Sequence, residues 1–245
     1  MIADIITLVW KEWKEIFLQK SNLRGGILSL AIFIGISGIF LPLQAGREWL
    51  SSPLGLFIWL WFSVFMVLSM VTDAFAGERE RHTLETLLAS RLSDQAILLG
   101  KIAASVIYGW GMSIASILLG AVTVNIAFRE GGFAFYQTQV WLGGVVFSLL
   151  GCLLMSTLGV LVSLKAPTAR AAYQKLSSIL LVLFLVPTLG MNLVPEETQI
   201  KIMTYLATVN LAQVMGVAAI ILLVVDVGLF FAARSRFQRE KLLLD

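Results

Sequence analysis

Charge is the first thing this chain lacks. Only 13% of its 245 residues are Asp, Glu, Lys or Arg, and the mean hydropathy is +0.90. A soluble domain carries about 25% charge, so an ordinary globular fold is excluded. Histidine is nearly absent too. The single His82 leaves no His-x-x-x-His zinc pair and no histidine-based metal or nucleophile set. The one cysteine, Cys152, sits in an apolar run; it has no intrachain partner and reads as a small packing residue. Also missing is a phosphate-binding loop. Gly100-Lys101 is followed by Ile102, and Gln95 stands where the first glycine of such a loop belongs, so ATP is not bound here by that route. The chain contains no stretch that could form a soluble domain and no convincing internal repeat, which argues against an inverted-repeat carrier. The net charge of +3 carries no indication of nucleic acid.

What the chain has instead is length without charge. Uncharged runs cover Gly25 to Gly46, Trp49 to Thr72, Ile102 to Phe128, Gly131 to Leu164, Leu176 to Pro195 and, interrupted once by Asp226, Ile202 to Ala233. A helix needs about 20 apolar residues to cross a bilayer, and lipid offers no partners to free amides, so these runs must be helical. The expected fold is all-α: one polytopic domain over 1–245 with six spans near 25–46, 53–73, 96–128, 139–164, 176–195 and 209–233. Residues 131–138 are surplus and form a loop, and 196–208 (EETQIKIMTYLAT) form a short helix at the membrane surface. Gly143, Gly144, Gly151 and Gly159 allow close helix approach.

Residues 3–20 differ. Ile6, Trp10, Trp13 and Phe17 share one helical face, while Lys11, Lys14 and Glu15 lie elsewhere. Tryptophan on the apolar side and lysine on the other are the marks of an in-plane interfacial helix, and no small-residue cleavage site follows to make it a signal peptide. With six spans both termini share a side. That side holds fifteen of the eighteen cations; only Arg47, Arg129 and Lys201 fall on the other. The positive-inside rule then places both termini and the 73–101 loop in the cytoplasm of a multi-pass cell-membrane protein.

That loop, DAFAGERERHTLETLLASRLSDQAILLGK, is the longest charged interval. Gly77 is placed to end a helix, and Ser93 or Asp94 to cap the next. Leu84, Leu87 and Leu88 recur on one face of a short amphipathic helix over about 78–90, with Glu85 off that face. The leucine face reads either as a docking surface or as packing on neighbouring spans and headgroups. Asp73, at the membrane edge, reads as a loop anchor.

The loop resembles the signature of ABC-2 type transporter permeases, the membrane subunits of one class of ATP-binding-cassette exporters. Glu78, Arg79, Glu80, Thr83, Leu84, Glu85, Leu87, Leu88, Ser93, Gly100 and Lys101 match the family pattern, whereas His82 replaces its usual Gly and Arg91 its usual Pro. The resemblance implies a permease that works as a homo- or heterodimer and exports substrate by alternating access. It also implies a separate cytoplasmic ATPase subunit that binds ATP and Mg, with the 78–90 helix, His82 included, as the coupling element. The permease itself would have no catalytic residues and bind no cofactor.

Other residues invite a role in a translocation path. An ionisable group at the depth of Asp226 faces the protein interior or a water path, or locks helix packing. Pro187 kinks the fifth span beside Gly190 and Asn192, where a gate is conceivable. Asn125, Asn210 and Gln213 read as interfacial. Two other classes fit the same composition: an ATP-independent channel or secondary carrier, and a membrane anchor for a cytoplasmic complex.

Overall fold

A computed structural model describes residues 1–18, 31–129, 132–208 and 210–237, and among these every regular element is helical. Helix α1 spans Ile2–Leu18. Residues 31–35 are helical, a π-helical turn follows at Ile36–Phe40, and α2 covers Leu41–Ala45. A 3₁₀ turn at Gly46–Leu50 leads into α3 (Leu54–Asp73). Two short helices, α4 (Ala76–Glu80) and α5 (Leu84–Leu88), precede the long α6 (Asp94–Ala127). Then come α7 (Thr138–Ser163), α8 (Ala169–Leu193), α9 (Glu196–Thr208) and α10 (Leu211–Arg236).

Five helices among the described residues are long and apolar enough to cross a membrane; α3 and α4 together supply the first of them. The expected span at 25–46 begins outside the described residues, as do the cations Lys20, Arg24, Arg239 and Lys241. Its described part meets α6 closely at the π-helical turn. There Ser37 Oγ lies 2.6 Å from Ser116 Oγ, and Thr123 Oγ1 donates to the Gly38 carbonyl at 2.7 Å.

The core lies where α3, α6 and α7 meet. Val67, Val71, Ile97, Met155, Val160 and Leu176 from α8 are buried in one apolar cluster that includes the thiol of Cys152. The glycines of α7 make this contact possible. A Cβ on Gly144 would stand 2.6 Å from the Trp59 ring, one on Gly151 2.6 Å from Leu60 Cδ1, and one on Gly159 would collide with Val71. These glycines serve packing, since close approach brings more atoms into dispersion contact.

The two ends of the bundle differ. At one end Trp49, Trp59 and Tyr136 stack edge to face, with centroids 5.9 and 5.2 Å apart. The Tyr136 hydroxyl donates to the Ile117 carbonyl at 2.9 Å. Asn125 does more than sit at an interface, because its amide exchanges hydrogen bonds with both backbone groups of Ala134 and so pins the α6–α7 connection. Asn210 caps α10 by accepting from the Ala212 amide. At the other end the polar segments of α1, the 74–93 loop and the α7–α8 junction come together.

Candidate functional site

The loop between α3 and α6 is not the single helix expected over 78–90. It breaks after Glu80, and His82 adopts φ +57°, the left-handed region, before Thr83 opens α5. This is the position at which the family pattern carries glycine, and a residue without Cβ enters that region without steric cost. Gly77 has a different task from the one expected. It lies inside α4, where a Cβ would collide with the Asp73 carboxylate. That carboxylate passes over Gly77 to receive both terminal nitrogens of Arg81 at 3.1 and 3.0 Å, so Asp73 does anchor the loop. Ser93 caps α6, its Oγ accepting from the Ala96 amide at 3.2 Å.

Beneath the loop lies a buried ionic cluster. The ammonium of Lys101, on the second turn of α6, is fully enclosed. It sits 2.8 Å from Glu12 Oε1 on α1 and 3.1 Å from Glu78 Oε1 on α4, with the Phe75 ring 5.2 Å away. Lys11 reaches the same Glu78 oxygen at 2.7 Å and Glu15 at 3.2 Å. Glu78 Oε2 is buried without a hydrogen-bond partner. Burial draws the Lys11 pKa down, but the hydrogen bond and charge of Glu78 outweigh it, and the pKa lies above the ordinary lysine value. Buried ion pairs cost desolvation about as large as the attraction they provide; what they fix is register. Here the fixed register is that of α1 along α6. Leu8 packs on Gly100, and the Trp13 indole donates to the Ala104 carbonyl at 3.2 Å. On the far side of α1, Ile6 and Trp10 are exposed.

The loop is fastened to the α7–α8 junction as firmly as to α1. Arg79 donates to the carbonyls of Ala166 and Leu164 at 2.8 and 2.9 Å, satisfying groups that the end of α7 leaves open. Glu80 Oε2 accepts from the Ala169 amide at the first turn of α8. Ser163 Oγ accepts from the amides of Phe75 and Ala76 at 3.1 and 2.8 Å and donates to the Thr72 carbonyl. Thr83 closes the turn: its amide and hydroxyl both donate to the Glu78 carbonyl.

The leucine face turns inward. Leu84 and Leu88 are 6% and 3% exposed and belong to the chain's own core, with Leu87 half-buried against it. An apolar face beside an uncovered hydrophobic core is buried by that core before any partner arrives. The accessible side of the loop is polar: Glu80, Arg81, His82, Thr83, Glu85 and Thr86 are exposed, as is Arg91 at the following bend.

The residues considered for a path do not join this site. Asp226 is buried within α10, and neither carboxylate oxygen has a hydrogen-bond partner. Pro187 and Asn192 lie within α8, but their side chains lie outside the described residues, as does that of Phe17 in α1. Sequence reasoning missed Lys11, Glu12 and Ser163 as parts of the site. It matched Lys101 to the family pattern without its ionic role. The available signal was a set of charges in an otherwise apolar chain, each of which needs a partner.

No curated protein matches the chain. A family model described as "ABC-2 type transporter" matches residues 3–192, from α1 to the end of α8, and so includes the whole of the site.

Proposed function

Because the chain belongs to the ABC-2 type transporter family, and is thus a multi-pass transporter permease component, we propose that it is the permease of an ATP-driven exporter. Two permeases, identical or not, pair in the cell membrane with both termini in the cytoplasm. Each carries a cytoplasmic ATPase subunit that holds ATP and Mg. Nucleotide-driven closure of the ATPases displaces the 76–91 loops, the spans re-pack by alternating access, and substrate leaves outward.

The observation that carries this reading is the way the loop is mounted. Its exposed edge, Arg81 to Thr83 with Glu85 and Thr86, is polar and accessible, while its inner edge is tied by named bonds to α1, α6, α7 and α8. A partner gripping the outer edge therefore pulls on four helices together. Charged and polar groups at such an edge set partner choice and register. The fifteen cations assigned to the same side support the cytoplasmic placement.

Purification of the tagged chain from its own membranes in mild detergent tests the reading. A stoichiometric subunit carrying a phosphate-binding loop is expected, and it should be lost from a Glu85→Arg, Thr86→Arg variant that still folds. Leu84→Asp is unsuited to this purpose, since it would place a charge in the core. A homo-oligomer without any ATPase in lipid nanodiscs would refute the reading. It would favour a self-sufficient channel or carrier, for which the unpartnered Asp226 is the specific observation and Asp226→Asn the next variant.

A further inference from the structure

Helix α10 lies beyond the residues matched by the family model and is the least enclosed of the five membrane-crossing helices. Of its residues only Asp226 and Ala233 are buried, and its main neighbour is α7. Val217, Ile220, Val224 and Phe231 are each more than half exposed and open to lipid. Lipid tails are as apolar as these side chains, so apolarity alone gives the span no reason to stay on α7. Asp226 adds none. Both its oxygens are buried without a partner, and α7 carries no charged residue that could face them.

A firmer tie stands just past the last turn of α10. Phe237 is 4% exposed, although Arg234, Ser235 and Arg236 beside it are open. At the level of those polar residues the alternative to burial is water, so the hydrophobic effect that is missing along the span acts on this side chain. Its ring leans on that of Phe75, with centroids 5.3 Å apart, and both belong to the cluster that holds Leu84 and Leu88. Phe75 in turn is part of the loop's mounting. Its carbonyl accepts from the Arg79 amide at 2.9 Å and so opens α4. Its amide is held by Ser163, and its ring lies against the Lys101 ammonium on α6. Displacing α4 therefore displaces Phe75, and with it the seat of Phe237.

We propose that Phe237 is a positioning residue that hooks the cytoplasmic end of α10 to the 76–91 loop through Phe75, so that the helix travels with the loop. That the loop travels rests on the exporter reading above; the hook does not, and two arms of one experiment separate them. Nitroxides are placed, two at a time, on the exposed sites Ala89→Cys in the loop, Ser235→Cys on α10 and Gln139→Cys at the far end of α7. The full chain, in a Cys152→Ala background, is held in lipid nanodiscs. In the chain alone, electron–electron double resonance should give one narrow distance for the Ala89–Ser235 pair. Phe237→Ala should raise a second, broad population about tenfold, the weight of one aromatic side chain returned to water, and Phe237→Leu should leave it low. With the copurifying ATPase subunit and ATP, Mg and vanadate, the Ala89–Gln139 and Ser235–Gln139 distances should both change. Phe237→Ala should keep the first change and lose the second, which a merely structural contact would not do. A narrow distribution in Phe237→Ala overturns the proposal. So does a loop that shifts while Ser235 stays still in the intact chain. A loop that does not shift with nucleotide refutes the exporter reading instead, and the first arm then decides the hook alone.

Discussion

Removing Lys101 and removing Glu78 should not be equivalent, although the two are paired. In the intact cluster two ammonium groups, Lys11 and Lys101, face three carboxylates, Glu12, Glu15 and Glu78. Lys101→Met leaves one cation among three anions, with Glu78 still buried. Deleting one partner of a buried pair costs about 3–5 kcal/mol, and the surplus carboxylate places this variant at the upper part of that range. Glu78→Gln leaves two cations and two anions. The amide keeps an acceptor where Oε1 receives both lysines, and the oxygen it replaces has no partner to lose. Its cost should be about 2 kcal/mol, because two charge-assisted bonds weaken and the new amide nitrogen brings buried donors without an acceptor. The comparison is made by unfolding the purified chain in mixed micelles of rising SDS fraction. Labelling with 5-fluorotryptophan supplies a local signal at Trp13, whose fluorine resonance is separable from those of the other six tryptophans and whose indole is bonded to the Ala104 carbonyl. Equal losses, or a larger loss for Glu78→Gln, would show that charge balance does not govern the cluster.

Other substitutions probe the loop itself. His82→Gly should stabilise by about 0.5–1 kcal/mol by relieving the left-handed backbone at φ +57°, read as a rise in midpoint in the same titration. Gly77→Ala should lower the midpoint by displacing the Asp73 carboxylate from Arg81, and the loss should shrink in an Asp73→Ala background. Ser163→Ala leaves the buried amides of Phe75 and Ala76 without an acceptor, at a cost of about 2 kcal/mol, and should accelerate hydrogen exchange at both. The raised Lys11 pKa sets a direction with pH: its contribution is full below the ordinary lysine value of 10.5 and fades as pH rises through the higher folded value. Alkaline titration of the Trp13 signal should therefore be flat at neutral pH and change only above that range.

The helical architecture is readable from the chain because lipid makes length and apolarity compulsory. The start of α6 is readable because Ser93 caps it, whereas Asn210, read as interfacial, proves to be the cap of α10. Helix α8 starts at Ala169, well before the uncharged run at Leu176, because Arg170 and Lys175 are tolerated in its first turns. The glycines of α7 were legible as packing residues. The outward face of the 76–91 loop was not. Amphipathicity separates two faces of a helix without saying which one the rest of the chain covers, and Leu84 and Leu88 are covered by the chain's own core. The ionic cluster was equally hidden, since Lys11 and Glu78 are 67 positions apart and Glu12 and Lys101 are 89 apart. The left-handed turn was half-legible: His82 marked the position by departing from glycine, but its conformation is visible only in three dimensions.

The sharing of the Glu78 carboxylate by Lys11 and Lys101 also bears on biogenesis. Helix α1 leaves the ribosome long before either Glu78 or Lys101, and neither of those residues can be buried alone at acceptable cost. Helix α1 therefore stays undocked while α3 and α6 are inserted. Only the arrival of the Gly100-Lys101 turn completes the set of charges that lets it dock. Helix α1, made before α3 and α6, locks only after both. A chain truncated before α6 would leave it undocked, with Glu78 held in water, as a mark by which quality control could tell an unfinished permease from a finished one.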